Sequence, residues 1–200
     1  MNEVSKVIVF LVILVFFVII IMSIYEKNEL FLEYRISKNN NKKYGIQETF
    51  NKPDEALELL AKLHNEMSNF IHDLHIKYPK DDRVSRLVKG FKHTKIEESP
   101  DDTEKTTSFT IDKGLMMSLC LREKINNREF HDYNTLQFVI IHELSHISSI
   151  TEGHNSEFLT NFKFLLQEAK ALGYYEPFDY SKNNKMYCGT INITNNPYYN

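Results

Sequence analysis

Apolar positions along the chain change their spacing several times, and each spacing predicts a different element. From Val7 to Tyr25 the run is apolar and carries no charged side chain. At about 1.5 Å per residue a helix of that length spans a bilayer core, so the run reads as an uncleaved membrane anchor over residues 1–25. No small-residue cleavage site of the A-x-A kind follows it among Met22, Ser23 and Ile24, and Tyr25 suits the interfacial belt. Residues 26–50 turn polar and rich in Lys and Asn, the signature of a solvated juxtamembrane linker. From 53 to 78 the apolar positions Ala56, Leu59, Leu60, Leu63, Met67, Phe70, Ile71 and Leu74 recur every three or four residues, which predicts an amphipathic helix with Pro53 at its first position. Residues 51–200 are thus expected to form one folded domain.

Within that domain, Arg83–Phe91 reads as a short helix ending at Gly90, and Thr94–Glu97 as a strand. Ser99–Lys105 is acidic and carries Pro100, hence a loop. Thr106–Ile111 and Leu115–Leu121 flank Asp112-Lys113-Gly114 and predict a hairpin. After a polar loop at 126–133, Asn134 with Gln137 three positions on makes a capping box for a helix reaching about Ile150. Asn155 and Ser156 are good N-caps for a second helix that stops at Gly173. Its apolar stripe is Phe158, Phe162, Leu165, Leu166 and Ala169, and the Tyr-, Asn- and Pro-rich tail from Tyr174 wraps the surface without long helices. Long helices, a few short strands and one hairpin define an α+β domain.

The first of these late helices is apolar on nearly every side: Leu136, Phe138, Val139, Ile140, Ile141, Leu144 and Ile147. Such a helix is buried, so polar residues inside it need a reason. They are His142, Glu143 and His146, the pattern His-Glu-x-x-His. Residues i and i+4 share a helix face, so His142 and His146 can present two imidazoles to one metal ion. Glu143 leaves the helix about 100° away and can hold a water on that metal as general base. Zn²⁺ takes nitrogen ligands, lowers the pKa of a bound water and polarises a carbonyl. The bland alternative is a core helix whose His and Glu find local hydrogen bonds. A third ligand must come from elsewhere. His154, in the elbow between the two helices just after Gly153, is preferred as a neutral imidazole. Glu152, Glu157 and Glu168 are rivals. His64, His72 and His75 lie on or near the long helix; His72 and His75 are three apart, a spacing that could bind a metal, but read as surface or edge histidines, Cys120 reads as a small core residue, and Cys188 as a residue that could approach the metal.

His142-Glu143-Leu-Ser-His146, a short loop, then Gly153-His154-Asn-Ser-Glu-Phe158 resembles the WLM and SprT-like (Spartan-like) zinc metallopeptidases, which use H-E-x-x-H and a later His followed within a few residues by Phe or Trp. The likeness covers roughly residues 50–190, with only 136–166 specific. It implies a zincin-like fold, one Zn²⁺ held by His142, His146 and His154, Glu143 as the catalytic base, and an edge strand beside the active helix on which a peptide adds. WLM-like sequences occur in large DNA viruses, and the Asn-, Lys- and Ile-rich usage suits such a genome. The longer H-E-x-x-H-x-x-G-x-x-H pattern is absent, since Ser149 and Glu152 stand at its Gly and third His positions.

A net charge of −3 and the lack of a basic stripe make nucleic acid an unexpected partner. Two cysteines in 200 residues make no disulfide scaffold. Lys6 alone precedes the apolar run, whereas Lys27, Arg35, Lys38, Lys42 and Lys43 follow it, so the positive-inside rule puts the C-terminal domain on the cytosolic side. The opposite orientation would expose the sequon at Asn192. The function expected is a membrane-anchored zinc metallopeptidase acting on a protein or peptide. A protease of DNA-linked proteins, as the SprT-like likeness implies, and a non-catalytic zinc-stabilised binding module are the alternatives.

Overall fold

The protein, here as a computed structural model, is described over residues 9–20, 32–100, 107–125 and 128–199. It divides into Met1–Phe31 and Leu32–Asn200. In the first unit, residues 9–20 are helical. Among the described residues no helix is long and apolar enough to cross a membrane. At about 1.5 Å per residue this helix reaches about 18 Å, against about 30 Å of hydrocarbon. The single-pass anchor expected over 7–25, and the cytosolic placement of the domain drawn from it, therefore do not stand. Residues 7, 8 and 21–25 of that run lie outside the described residues.

In the second unit a mixed sheet carries β1 (Leu32–Ile36), β2 (Lys43–Gln47), β3 (Lys95–Glu98), β4 (Phe109–Ile111) and β5 (Met116–Leu119), in the order β1-β2-β3-β5-β4. β1 and β2 form an antiparallel hairpin, β2–β3 and β3–β5 are parallel, and β4 runs antiparallel to β5 at the sheet edge. Residues expected to form a linker thus supply two strands: Tyr44 and Ile46 are buried, and Arg35 ties the hairpin down through Glu48 at 2.6 Å and Asp54 at 2.8 Å.

Between β2 and β3 the chain runs through α1 (Pro53–Lys77) and α2 (Asp82–Phe91). α1 starts with Pro53 and has Asp54 and Glu55 in its first turn and Lys77 in its last, each matched to the helix dipole. Its face of Leu60, Leu63, Met67, Phe70 and Leu74 is buried. Asp81 caps α2 by accepting from the Arg83 and Val84 amides. Gly90 lies inside α2 and does not terminate it. A Cβ there would stand 2.4 Å from Ile147 Cγ2 and 2.5 Å from the Lys113 carbonyl oxygen, so only glycine lets α2 pack this closely on the helix that carries Ile147 and on the β4–β5 turn.

His64 on α1 is buried between Tyr44 and Phe91. Its Nδ1 lies 2.9 Å from the Tyr44 hydroxyl and its Nε2 2.9 Å from Lys42 Nζ. Burial first, and the Lys42 charge second, push its pKa down to about 4. The unfolded chain therefore binds a proton that the folded one refuses, and stability is lost as pH falls from about 6.5 to about 4. Against a His64→Gln variant, which does not titrate, the wild type should lose of order 3 kcal/mol across that window in chemical denaturation. A difference between the two proteins that stays constant with pH would refute this.

The hairpin over 106–121 forms as β4 and β5. The helix that follows, α3 (Tyr133–Ser148), starts earlier than expected. Asp132 caps it, accepting from the Thr135 amide at 3.0 Å and the Thr135 hydroxyl at 2.8 Å. Asn134 bonds instead to the backbone of Glu176, and Gln137 to Glu66, so the expected capping box is absent. α4 (Ser156–Ala171) is capped by Asn155, whose side chain accepts from the Phe158 amide. The tail then forms a two-stranded hairpin, β6 (Lys185–Tyr187) and β7 (Ile191–Ile193). Cys120 and Cys188, read as a core residue and a possible metal neighbour, are joined in a disulfide that spans 68 positions and pins this hairpin beside β5. Cys188 is therefore no thiolate ligand.

Candidate active site

α3 enters the core with apolar residues on almost every side, and its polar residues face one place. His142 and His146 stand one turn apart, ring centroids 5.1 Å from each other. Gly153, at φ +78°, turns the chain so that His154 folds back to them. His154 Nε2 comes within 2.9 Å of His142 Nε2, and one ring nitrogen from each of the three imidazoles lies within 4.8 Å of the others. Among the described residues this is the group of His, Cys, Asp or Glu that could hold a metal ion.

Phe158, in the first turn of α4, packs its ring against all three imidazoles, with centroids at 4.8, 4.4 and 4.7 Å. Burial, with the neighbouring histidines adding to it, holds His142 down at about 3 and His146 at about 4. Both stay neutral at ordinary pH, the form that donates a lone pair. Three imidazole donors fit Zn²⁺ by ligand type and by number, since three protein ligands leave a fourth position open.

Glu143 is buried and separate from the three rings. The Thr110 hydroxyl on β4 donates to its Oε2 at 2.8 Å. Burial raises its carboxyl to about 7, with the Thr110 hydrogen bond pulling the other way. Thr110 could not be found from spacing alone, because the contact joins an edge strand to a helix 33 residues later.

The loop that presents His154 is held from two sides, and this accounts for the rival carboxylates. Glu157 accepts from the Ile150 and Thr151 amides at 2.8 and 3.0 Å and from the Thr151 hydroxyl at 2.6 Å. These bonds hold its carboxyl near 2. Glu152 pairs with Lys113 at 2.9 Å, while the same ammonium donates to the Thr151 carbonyl at 2.8 Å. Glu168 is bound by Lys77 at 2.6 Å and the Tyr78 hydroxyl at 2.8 Å. Glu157 and Glu168 are thus tied into the fold, while Glu152 keeps an exposed side chain in its ion pair with Lys113.

The histidines open into a cleft of about 560 Å³, bordered among others by Thr110, Phe138, Leu159, Phe162, Ile191 and Pro197. Part of its lining comes from β4, the free edge of the sheet, and part from the tail.

A family model described as the WLM domain matches residues 39–196. Uncharacterized protein R325 of Acanthamoeba polyphaga mimivirus is 29% identical over 193 residues, covering 94% of this chain and 95% of its own length. Uncharacterized protein 136R of Invertebrate iridescent virus 6 is 27% identical over 168 residues, covering 78% of this chain and 90% of its own. Among solved structures, Wss1 from Saccharomyces cerevisiae aligns with a TM-score of 0.49 and 18% identity over 63% of this chain and 85% of that one.

Proposed function

The chain belongs to the WLM domain family, and from that premise we propose that it is a zinc-dependent peptidase in which His142, His146 and His154 hold one Zn²⁺ and Glu143 is the general base. The observation that supports this most is the meeting of three imidazoles beside a buried carboxylate that takes no part in their cluster. A bound Zn²⁺ supplies Lewis-acid polarisation of the scissile carbonyl and a lowered pKa for water.

The chain's own groups do the rest. The edge of β4 accepts an extended polypeptide backbone as an added strand. Thr110 fixes Oε2 of Glu143, which leaves Oε1 as the oxygen for the attacking water. Oε1 takes a proton from that water and returns it to the departing amide nitrogen. A carboxyl raised by burial to about 7 suits both halves of that transfer near neutral pH. Phe158 backs the imidazoles and keeps bulk water from that side.

Metal analysis tests the site. The full chain should carry one zinc, and a His142→Ala, His146→Ala double variant should carry none. Stoichiometric zinc in that variant would place the metal elsewhere. Tightly held zinc together with no hydrolysis of any unfolded protein by the wild type would replace the peptidase with a zinc-stabilised binding module.

A further inference from the structure

The tail plays no part in the chemistry above, yet it borders the cleft. Tyr187, Ile191, Ile193, Asn195 and Pro197 all contribute to its lining. Among the described residues β6 and β7 pair only with each other, so the hairpin is not held by the main sheet. Its attachments are side-chain links at either end. At one end Cys188 is bonded to Cys120, the Cys188 amide donates to His131 Nε2 at 3.1 Å, and the Tyr187 hydroxyl shares a 2.6 Å hydrogen bond with Ser108 Oγ. At the other end Asn196 Nδ2 donates to the Tyr175 hydroxyl and the Phe178 carbonyl, both at 2.9 Å.

This braced segment turns apolar side chains toward the cleft, and those at its mouth are poorly covered. Ile191 is 44% exposed, and Leu159 across α4 is 49% exposed. With Phe138, Phe162, Ile193 and Pro197 they make an apolar surface continuous with the histidines. The carboxylates of the lining are Glu143, which is buried, and Glu152, which is paired with Lys113. A cleft with that much apolar lining desolvates a bulky apolar side chain.

We propose that Tyr187–Pro197 is the specificity wall of this cleft, selecting unfolded polypeptides that place a large apolar side chain beside the scissile bond, and that the Cys120–Cys188 bond holds the wall in place. The proposal deepens the peptidase reading and rests on it for the identity of the bond that is cut.

The test uses two unstructured peptides that differ only in one residue, Leu or Ser. Binding is measured by fluorescence anisotropy on the full chain carrying Glu143→Gln, so that neither peptide is consumed, and cleavage is mapped by mass spectrometry on the wild type. The Leu peptide should bind about 10- to 100-fold tighter, the range for one fully buried aliphatic side chain, and the wild type should cut it next to Leu. An Ile191→Ser, Ile193→Ser variant alters exposed or half-exposed positions, so it should keep its zinc and its fold while the preference falls to within about threefold of unity. A Cys120→Ser, Cys188→Ser variant should lose the preference in the same way. Equal binding of the two peptides, or a preference unchanged by the isoleucine substitutions, overturns the wall. Full preference in the folded cysteine-free variant overturns the tether. Selective binding with no cleavage of either peptide by the wild type sinks the peptidase reading and leaves the wall standing.

Discussion

Replacing Glu143 by Gln should lower peptide hydrolysis by about 10²–10⁴-fold while zinc content and Tm stay nearly unchanged. The amide keeps the size of the carboxylate, and its oxygen can still accept the Thr110 hydroxyl, now 2.8 Å from Oε2. What is removed is the group proposed to carry a proton from water to the leaving nitrogen. Stability should not suffer, because Glu143 is buried and its charged form is the one that burial disfavours. Zinc content should not change either, since the three imidazoles that converge do so without Glu143. The assay is hydrolysis of a generic unfolded protein, with metal analysis and thermal unfolding on the same preparation. Wild-type-like hydrolysis by the Gln variant would show that the proton moves elsewhere.

Arg122→Ala should destabilise the domain by about 3–5 kcal/mol, the largest effect expected of any single change away from the site. Arg122 and Glu98 are both fully enclosed, with Nε–Oε1 at 2.7 Å and Nη2–Oε2 at 2.9 Å. The guanidinium also donates to the carbonyls of Asn51 and Gln47 and lies about 5 Å from the rings of Phe50 and Phe130. It thereby joins β3 to the β2–α1 connection and to the stretch that leads into α3. Burial raises the Glu98 carboxyl and Arg122 pulls it back. Truncating the arginine strips the buried Glu98 carboxylate of both guanidinium hydrogen bonds, leaving it the Gln47 amide at 2.9 Å and the Lys124 charge, and takes a donor from the Asn51 and Gln47 carbonyls. An Arg122→Met, Glu98→Gln double variant should recover most of the loss, because the cost lies in the unpaired charge and not in the missing bridge. Urea titrations with zinc in excess measure both. A loss below about 1 kcal/mol for Arg122→Ala would mean that water reaches the carboxylate.

The helices were legible because their signals are local. Proline and acidic residues open α1, Asn155 opens α4, and three- and four-residue apolar spacing runs through both. His-Glu-x-x-His on an all-apolar helix announced the site for the same reason. The β1–β2 hairpin was missed because a Lys- and Asn-rich turn separates two short strands, although Leu32, Tyr34 and Ile36 alternate with Glu33 and Arg35 as a strand requires. At the start of α3, Asp132 and Asn134 are both good caps, and the choice fell to contacts with Thr135 and Glu176 that spacing does not record. Gly90 looks like a helix stop until Ile147 and Lys113 are brought against it. The Thr110–Glu143 bond and the disulfide join residues 33 and 68 positions apart, and no local pattern encodes either. The apolar run at the start was read by its length, and the described helix there covers only residues 9–20.

The Cys120–Cys188 bond closes a covalent ring, and α3, α4, His142, Glu143, His146 and His154 all lie on it. In the chain-entropy picture a ring of that length removes about 4 kcal/mol of freedom from the unfolded state. It also changes what a single break in the chain does. If the chain cuts unfolded polypeptide as proposed, a copy that opens becomes a substrate for its neighbours, and a cut anywhere from 121 to 187 leaves the two pieces covalently joined. Such a nicked molecule would run as one species until its disulfide is reduced, and only then separate into two.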